Sequence, residues 1–213
     1  TMKKILQLCL TLALISSPSL FAKPGEKAPE RKRDEGQQYE RLILRGGTLI
    51  SGEGAPPIGP VDIIIERNKV VQIKSVGHPG VPIKSQGRPV AKPGDKELNV
   101  EGKYILPGFV DMHGHVGGSA DDIPAEYVFK LWLAHGITTI REPGSFNGIA
   151  WTLKHQAQSD ANSIAAPRIY PYIGFGLESE QRLESEKAVK QWVKKIAKQG
   201  AFGIKFFGAP PNI

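Results

Sequence analysis

The amino-acid sequence predicts an α/β protein in which a small antiparallel β module precedes a series of parallel β/α units. Residues 41–104 contain short β-branched segments joined by polar turns, and residues 105–213 alternate strand-like and helix-like patterns. Strands that alternate with helices of about 10–15 residues are typical of a parallel sheet. With 40% hydrophobic and 23% charged residues in a chain of 213, the composition is that of a globular protein.

The N-terminus has the pattern of a secretory signal peptide. Two lysines precede the mostly apolar run of residues 5–15, and small residues follow as far as Ala22. The run is well short of the ~20 apolar residues that span a bilayer, so we expect no stable membrane anchor. We therefore predict that residues 1–22 are removed as a signal peptide, which implies a secreted or periplasmic protein.

Residues 23–40 mix both signs of charge with proline and glycine and contain few apolar side chains, which predicts a disordered leader. The single cysteine, Cys9, lies in the apolar run before them. The mature chain would therefore contain no thiol, and any bound metal would be held by nitrogen and oxygen ligands.

The net charge of +7 is concentrated in residues 66–96, which contain seven basic and two acidic residues. The same segment is rich in glycine and proline and contains no aromatic residue. We interpret it as a solvated loop. Because nucleic-acid sites commonly interleave aromatic with basic side chains, the segment does not predict a nucleic-acid partner.

The β module, residues 41–104, is predicted from three patterns. LILRGGTLISG has two apolar segments on either side of a Gly-Gly turn. VDIIIERNKVVQI has the pattern of a hairpin with its polar turn at residues 66–69. ELNVEGKYI, after the basic segment, adds a further strand pair.

Four strands and three helices are predicted after Tyr104. The strands are residues 105–115, 137–140, 168–175 and 201–207, and the helices are residues 124–135, 148–162 and 185–199. Gly136 and Gly200 supply helix ends. From these residues alone, the β/α units fit a doubly wound sheet, half of a (β/α)8 barrel, or a small four-stranded domain.

One segment carries the residues for chemistry. Asp111, His113 and His115 come at the end of the first parallel strand. Residues two apart in a strand point to the same face, so two imidazoles ~7 Å apart could converge on one divalent ion. Histidine pairs near strand ends are also common on surfaces and in cores, without a metal.

The segment LPGFVDMHGH, from Leu106 to His115, resembles the amidohydrolase superfamily, whose signature is Leu-Pro-Gly-Phe/Leu-Val/Ile-Asp-x-His-x-His. AHGITTIRE at residues 134–142 and GIKF at residues 203–206 are similar to later phrases of that family. The resemblance covers residues 41–213. It implies a small β-sandwich module at residues 41–104, followed by the N-terminal half of a metallo-(β/α)8 barrel at residues 105–213. The imidazolonepropionase-like and Xaa-Pro-dipeptidase-like branch is the most similar.

The resemblance also implies a metal site. In such enzymes the two histidines, here His113 and His115, bind the more buried metal. A lysine at the end of the fourth strand is often carboxylated and bridges two metals, and Lys205 lies at that position. The alternative for Lys205 is an ordinary lysine in an ion pair or in solvent. One or two divalent ions, zinc by default, are the implied cofactor.

The implied activity is hydrolysis of an amide or other C–N bond of a dipeptide or small cyclic amide, by a metal-activated water. The remaining ligands and the general base are expected beyond Ile213, so we expect residues 1–213 to be an N-terminal fragment that is inactive alone. The alternative is a noncatalytic amidohydrolase-like barrel with a structural or assembly role. The sequence does not indicate an oligomeric state.

Overall fold

The computed structural model describes residues 38–118 and 122–207. The predicted signal peptide and the leader as far as residue 37 lie outside the described residues. The described chain forms two sheets: a five-stranded sheet within residues 41–105, and a four-stranded sheet with three helices within residues 109–205. Within the described ranges, no helix is long and apolar enough to cross a membrane.

The first sheet has the strand order β3-β2-β1-β4, and β5 also pairs with β1. Its strands are β1 (Arg41–Leu49), β2 (Ile58–Glu66), β3 (Lys69–Ser75), β4 (Lys96–Asn99) and β5 (Tyr104–Ile105). The predicted hairpin is confirmed, because β2 and β3 pair antiparallel around Arg67 and Asn68. The predicted module was wholly antiparallel, but in the structure β4 and β5 run parallel to β1. A parallel pair requires a long crossover, and residues 76–95 provide it.

The basic segment is more ordered than the solvated loop that its composition predicted. Arg88 donates to Asp62 of β2 at 2.7 and 3.0 Å, although Asp62 lies entirely out of solvent. Arg45 of β1 donates to the same carboxylate at 2.9 Å and to the Pro89 carbonyl at 2.8 Å. The Gly46 amide donates to Asp62 at 3.0 Å. The segment is therefore fastened across the sheet by a buried ion pair that composition could not reveal.

The electrostatics of this cluster favour the ionised carboxylate. Burial alone would raise the pKa of Asp62, but the hydrogen bonds from Arg88 and Arg45 outweigh burial and hold that pKa below its ordinary value. The opposite side of β2 is apolar, where Val61 and Ile63 pack with Leu49. Both faces of β2 are thus covered, one by hydrophobic contacts and the other by the fastened segment.

The second sheet is entirely parallel, and its strand order β6-β7-β8-β9 follows the chain. Its strands are β6 (Phe109–Asp111), β7 (Ile137–Glu142), β8 (Arg168–Gly174) and β9 (Gly203–Lys205), and the helices are α1 (Ala125–Ala134), α2 (Ile149–Asp160) and α3 (Glu186–Gln199). A doubly wound sheet would reverse its strand order at a switch point. The sequential order is that of half a (β/α)8 barrel, which confirms the predicted fold class.

The helices begin and end where the sequence predicted, within two residues. Ser185 caps α3, because its side chain accepts a hydrogen bond from the Ala188 amide at 3.2 Å. Gly200 ends that helix in the left-handed region, at φ 107°. A side chain at that φ would be strained, so the glycine stop has a physical basis.

All three helices pack on one face of the second sheet. Phe129 of α1 lies against Ile140 and Ile169, while residues of α2 and α3 enclose Ile173. Side chains alternate along a strand, so the residues between these isoleucines point to the opposite face. We call that opposite face the inner face, since it corresponds to the barrel interior.

Candidate metal centre

The two predicted histidines follow β6 rather than lying within it. The sequence predicted a strand over residues 105–115, but β5 ends at Ile105, and β6 covers only Phe109–Asp111. The Asp111 carboxylate accepts a hydrogen bond from the His113 amide at 2.8 Å. This local side-chain contact closes a turn and ends the strand. The predicted strand alternation at His113 and His115 is therefore wrong.

The structure nevertheless brings the two imidazoles together. The ring centroids of His113 and His115 are 5.5 Å apart, and the rings are inclined by 73°. Both side chains are exposed at the carboxyl edge of the second sheet. Active sites of (β/α)8 barrels lie at this edge. The pair is thus placed where a metal could be reached by substrate.

The Glu142 carboxylate holds His115 in one orientation. Glu142 ends β7, and its side chain is 1% exposed. Its Oε1 lies 2.9 Å from His115 Nδ1, and its Oε2 accepts the Val116 amide at 2.8 Å. An ionised carboxylate can only accept, so in this contact Nδ1 would donate, and in the neutral imidazole Nε2 would then be the nitrogen available to a metal. This carboxylate–imidazole arrangement is the one that supports metal-ligating histidines.

The residue between the histidines is tied to the neighbouring strand. The Gly114 amide donates to the Arg141 carbonyl of β7 at 3.1 Å. A Cβ at Gly114 would lie 3.4 Å from both Ile140 and Trp132. A residue with a long side chain would therefore crowd these two neighbours. Trp132 of α1 also donates to the His115 carbonyl at 3.3 Å. The histidine segment is therefore anchored by β7 and α1 together.

Lys205, the third predicted ligand, ends β9 and is half-buried. Its neighbour Ile204 packs among the helices, so Lys205 points to the inner face. Its Nζ lies 5.9 Å from the Phe207 ring centroid, and no carboxylate of the described chain forms an ion pair with it. Lys205 and the histidines share the carboxyl edge of the sheet, at its opposite ends.

The donor set fits part of a metal site. Imidazole nitrogens suit zinc, and one of the two is already oriented by Glu142. Across residues 38–118 and 122–207, no three His, Cys, Asp or Glu side chains are grouped so that they could hold one ion. Metal binding by His113, His115 and Lys205 stays a prediction, and further ligands are required.

Two further histidines, His135 at the end of α1 and His155 within α2, belong to no group of three potential ligands among the described residues. His135 Nδ1 lies 2.8 Å from the Leu131 carbonyl, and His155 Nδ1 lies 2.9 Å from the Trp151 carbonyl. His155 is half-buried against the Trp151 ring, with centroids 3.9 Å apart.

The sequence is similar to enzymes that act on C–N bonds, although no family model matches it. A 5-methylthioadenosine/S-adenosylhomocysteine deaminase of Pyrococcus abyssi is 28% identical over 185 residues, covering 73% of this chain and 39% of that protein. An N-acyl-D-aspartate deacylase of Alcaligenes xylosoxydans xylosoxydans is 24% identical over 143 residues, covering 67% of this chain and 25% of that protein. The chain therefore spans less than half the length of these curated relatives.

The fold is shared with solved structures. A Xaa-Pro dipeptidase with methionine bound in its active site superposes with a TM-score of 0.56 at 20% identity, covering 78% of this chain and 46% of that chain. The LPGFVDMHGH segment and the deaminase and deacylase relatives, together with the shared fold, support the resemblance of this chain to the amidohydrolase superfamily.

Proposed function

We propose that the protein is a metal-dependent hydrolase of amide or other C–N bonds. The observation that carries this proposal is the convergence of His113 and His115 at the carboxyl edge, with His115 oriented by the buried Glu142. The deaminase and deacylase relatives act on C–N bonds, which supports the same bond type here.

Each site residue of this chain has a separate proposed role. His113 and His115 would hold the ion, while Glu142 orients the His115 ring and Asp111 fixes the turn. A divalent ion, zinc by default and present as one or two ions, would supply Lewis-acid activation of a water molecule and of the substrate carbonyl.

Lys205 is proposed to bridge two ions as a carbamate. The Lys205 ammonium would first lose a proton, and the resulting amine would add to CO2 and lose a second proton, so that a negative charge replaces a positive one. The lysine is half-buried on the inner face and has no ion pair with a carboxylate among the described residues. A cationic lysine beside two divalent ions would be strongly disfavoured, so carboxylation removes a repulsion.

The proposed substrate is a dipeptide or a small cyclic amide. This rests on the resemblance of LPGFVDMHGH and GIKF to the Xaa-Pro-dipeptidase-like and imidazolonepropionase-like branch. The dipeptidase structure shares the fold that would hold such a substrate. Secretion or a periplasmic location is proposed from residues 1–22 alone.

The test uses the protein in its natural length and a panel of dipeptides, N-acyl amino acids and cyclic amides. We expect hydrolysis that is lost on chelation and restored by zinc, and that His113→Ala and His115→Ala each abolish. The matched control is His78→Ala, since His78 is exposed and remote in sequence. Hydrolysis unaffected by chelation would refute the metal assignment. A panel without turnover would favour the noncatalytic alternative.

A further inference from the structure

Arg141 lies on the inner face, one residue before the end of β7. Its neighbours Ile140 and Glu142 are both buried, at 0% and 1% exposed, so the arginine between them points the opposite way. Tyr172 of β8 lies on the same face, between buried Pro171 and Ile173. The Arg141 Cζ is 5.2 Å from the Tyr172 ring centroid. The aromatic ring therefore supports the guanidinium from one side.

The guanidinium has no acidic partner in the part of the chain that the structure describes. Arg41, Arg45 and Arg88 are also half-buried, and each is paired with a carboxylate. Arg141 forms no such pair, and its buried Nε has no hydrogen-bond acceptor among the described residues. A partly desolvated cation without an anion is costly. The arrangement is that of a site prepared for an anion.

We propose that Arg141 binds a carboxylate group of the substrate, so the preferred substrates are amides that carry a free carboxylate. This inference rests on the proposed hydrolase function. A guanidinium offers paired N–H donors that match a carboxylate, and stacking on Tyr172 limits its freedom before binding. Uncharged amides, including neutral cyclic amides, would lack this contact.

The position of Arg141 links it to the candidate metal ligands. Its own carbonyl accepts the Gly114 amide between His113 and His115, and the next residue, Glu142, orients His115. The cation and the histidine segment are therefore fixed to the same strand end. A substrate held by its carboxylate at Arg141 would have its position set relative to the histidines.

A carboxylate could also come from chain beyond residue 207, and the experiment separates the two sources. The natural-length protein, as wild type and as Arg141→Gln, is assayed on one amide substrate with a free carboxylate and on its carboxamide. Arg168→Gln is the control, because Arg168 is exposed on the neighbouring strand. Thermal unfolding of each protein is measured in parallel.

We expect Arg141→Gln to raise KM for the carboxylate substrate roughly 10- to 100-fold, the range for a charge-assisted hydrogen bond. KM for the carboxamide, kcat and the unfolding temperature should change little. Arg141→Lys should recover part of the preference, since it keeps the charge but loses the paired donors. Arg168→Gln should behave as wild type.

Two outcomes would overturn the inference. Equal losses on both substrates, together with a lower unfolding temperature, would show that Arg141 pairs with a carboxylate of the chain itself. An unchanged preference in Arg141→Gln would show that the arginine does not contact the substrate. Absence of turnover by the wild type on both substrates would instead refute the proposed hydrolase, and the carboxylate preference with it.

Discussion

Single contacts decide whether the histidine pair can act as a metal site, and Glu142 is the clearest case. It accepts from His115, Val116 and Gly144 while lying out of solvent. Its role depends on charge as well as shape. An amide in its place could donate to Nδ1 and favour the wrong tautomer.

We therefore expect Glu142→Gln to weaken zinc binding by about 10- to 100-fold, as for other groups that orient metal-ligating histidines. Zinc titration of the apoprotein measures the effect. Glu184→Gln is the control, because Glu184 forms only an exposed pair with Arg182. Wild-type affinity in Glu142→Gln would mean that His115 does not bind zinc through an Nε2 prepared by Glu142.

In the β module, Asp62 is likewise a buried carboxylate that accepts several hydrogen bonds. Replacing it by alanine leaves Arg88 and Arg45 facing a buried space without their shared carboxylate. We expect Asp62→Ala to lower the free energy of unfolding by roughly 3–5 kcal/mol. Urea unfolding of the natural-length protein measures it, with Glu53→Ala on an exposed turn as the control. If Asp62→Ala lowered the free energy of unfolding no more than Glu53→Ala does, the cluster would not be stabilising.

Strands and helices show where sequence reasoning succeeds and where it fails. The helices were placed within two residues because their apolar spacing and their glycine stops are local signals. The end of β6 was missed because one side chain, Asp111, competes for the His113 amide. Glu142 and Arg88 were missed because their partners lie 27 and 26 residues away. Such contacts depend on strand register and on where a loop folds back onto the sheet. The spacing of residue types along the sequence reports neither.

The helix cap at the N-terminus of α3 can be tested by substitution. Ser185 accepts from the Ala188 amide and satisfies one of the unpaired donors of the first turn. We expect Ser185→Ala to cost about 1 kcal/mol of stability, whereas Ser185→Asp should retain it, because aspartate also caps helices. Urea unfolding of both variants checks this. Equal destabilisation by both variants would argue against capping as the cause.

At the scale of the molecule, acid should act on the β module through Asp62. The hydrogen bonds from its two arginines keep the folded pKa of Asp62 below its unfolded value, despite burial. The folded state therefore binds this proton less readily. The stability that the ionised Asp62 contributes is fully present above the unfolded pKa of about 4. It is lost as the pH falls through the lower folded pKa.

We therefore expect wild type to lose more stability below about pH 4 than Asp62→Asn, which has no carboxyl to protonate. Unfolding measured between neutral pH and about pH 3 supplies the comparison. Parallel curves for the two proteins would show that another group controls acid unfolding.

The hydrogen bonds of the histidine segment also bear on the order in which the chain folds. Gly114 and His115 are fastened by Arg141 and Glu142, so this half of the candidate site needs only β6, α1 and β7. Contacts that close over fewer residues tend to form earlier, and domains begin to fold as they leave the ribosome. Lys205 emerges 90 residues after His115. The histidines would thus be arranged during synthesis before the lysine is available, and hydrogen exchange on stalled nascent chains should find the Gly114 and Val116 amides protected first.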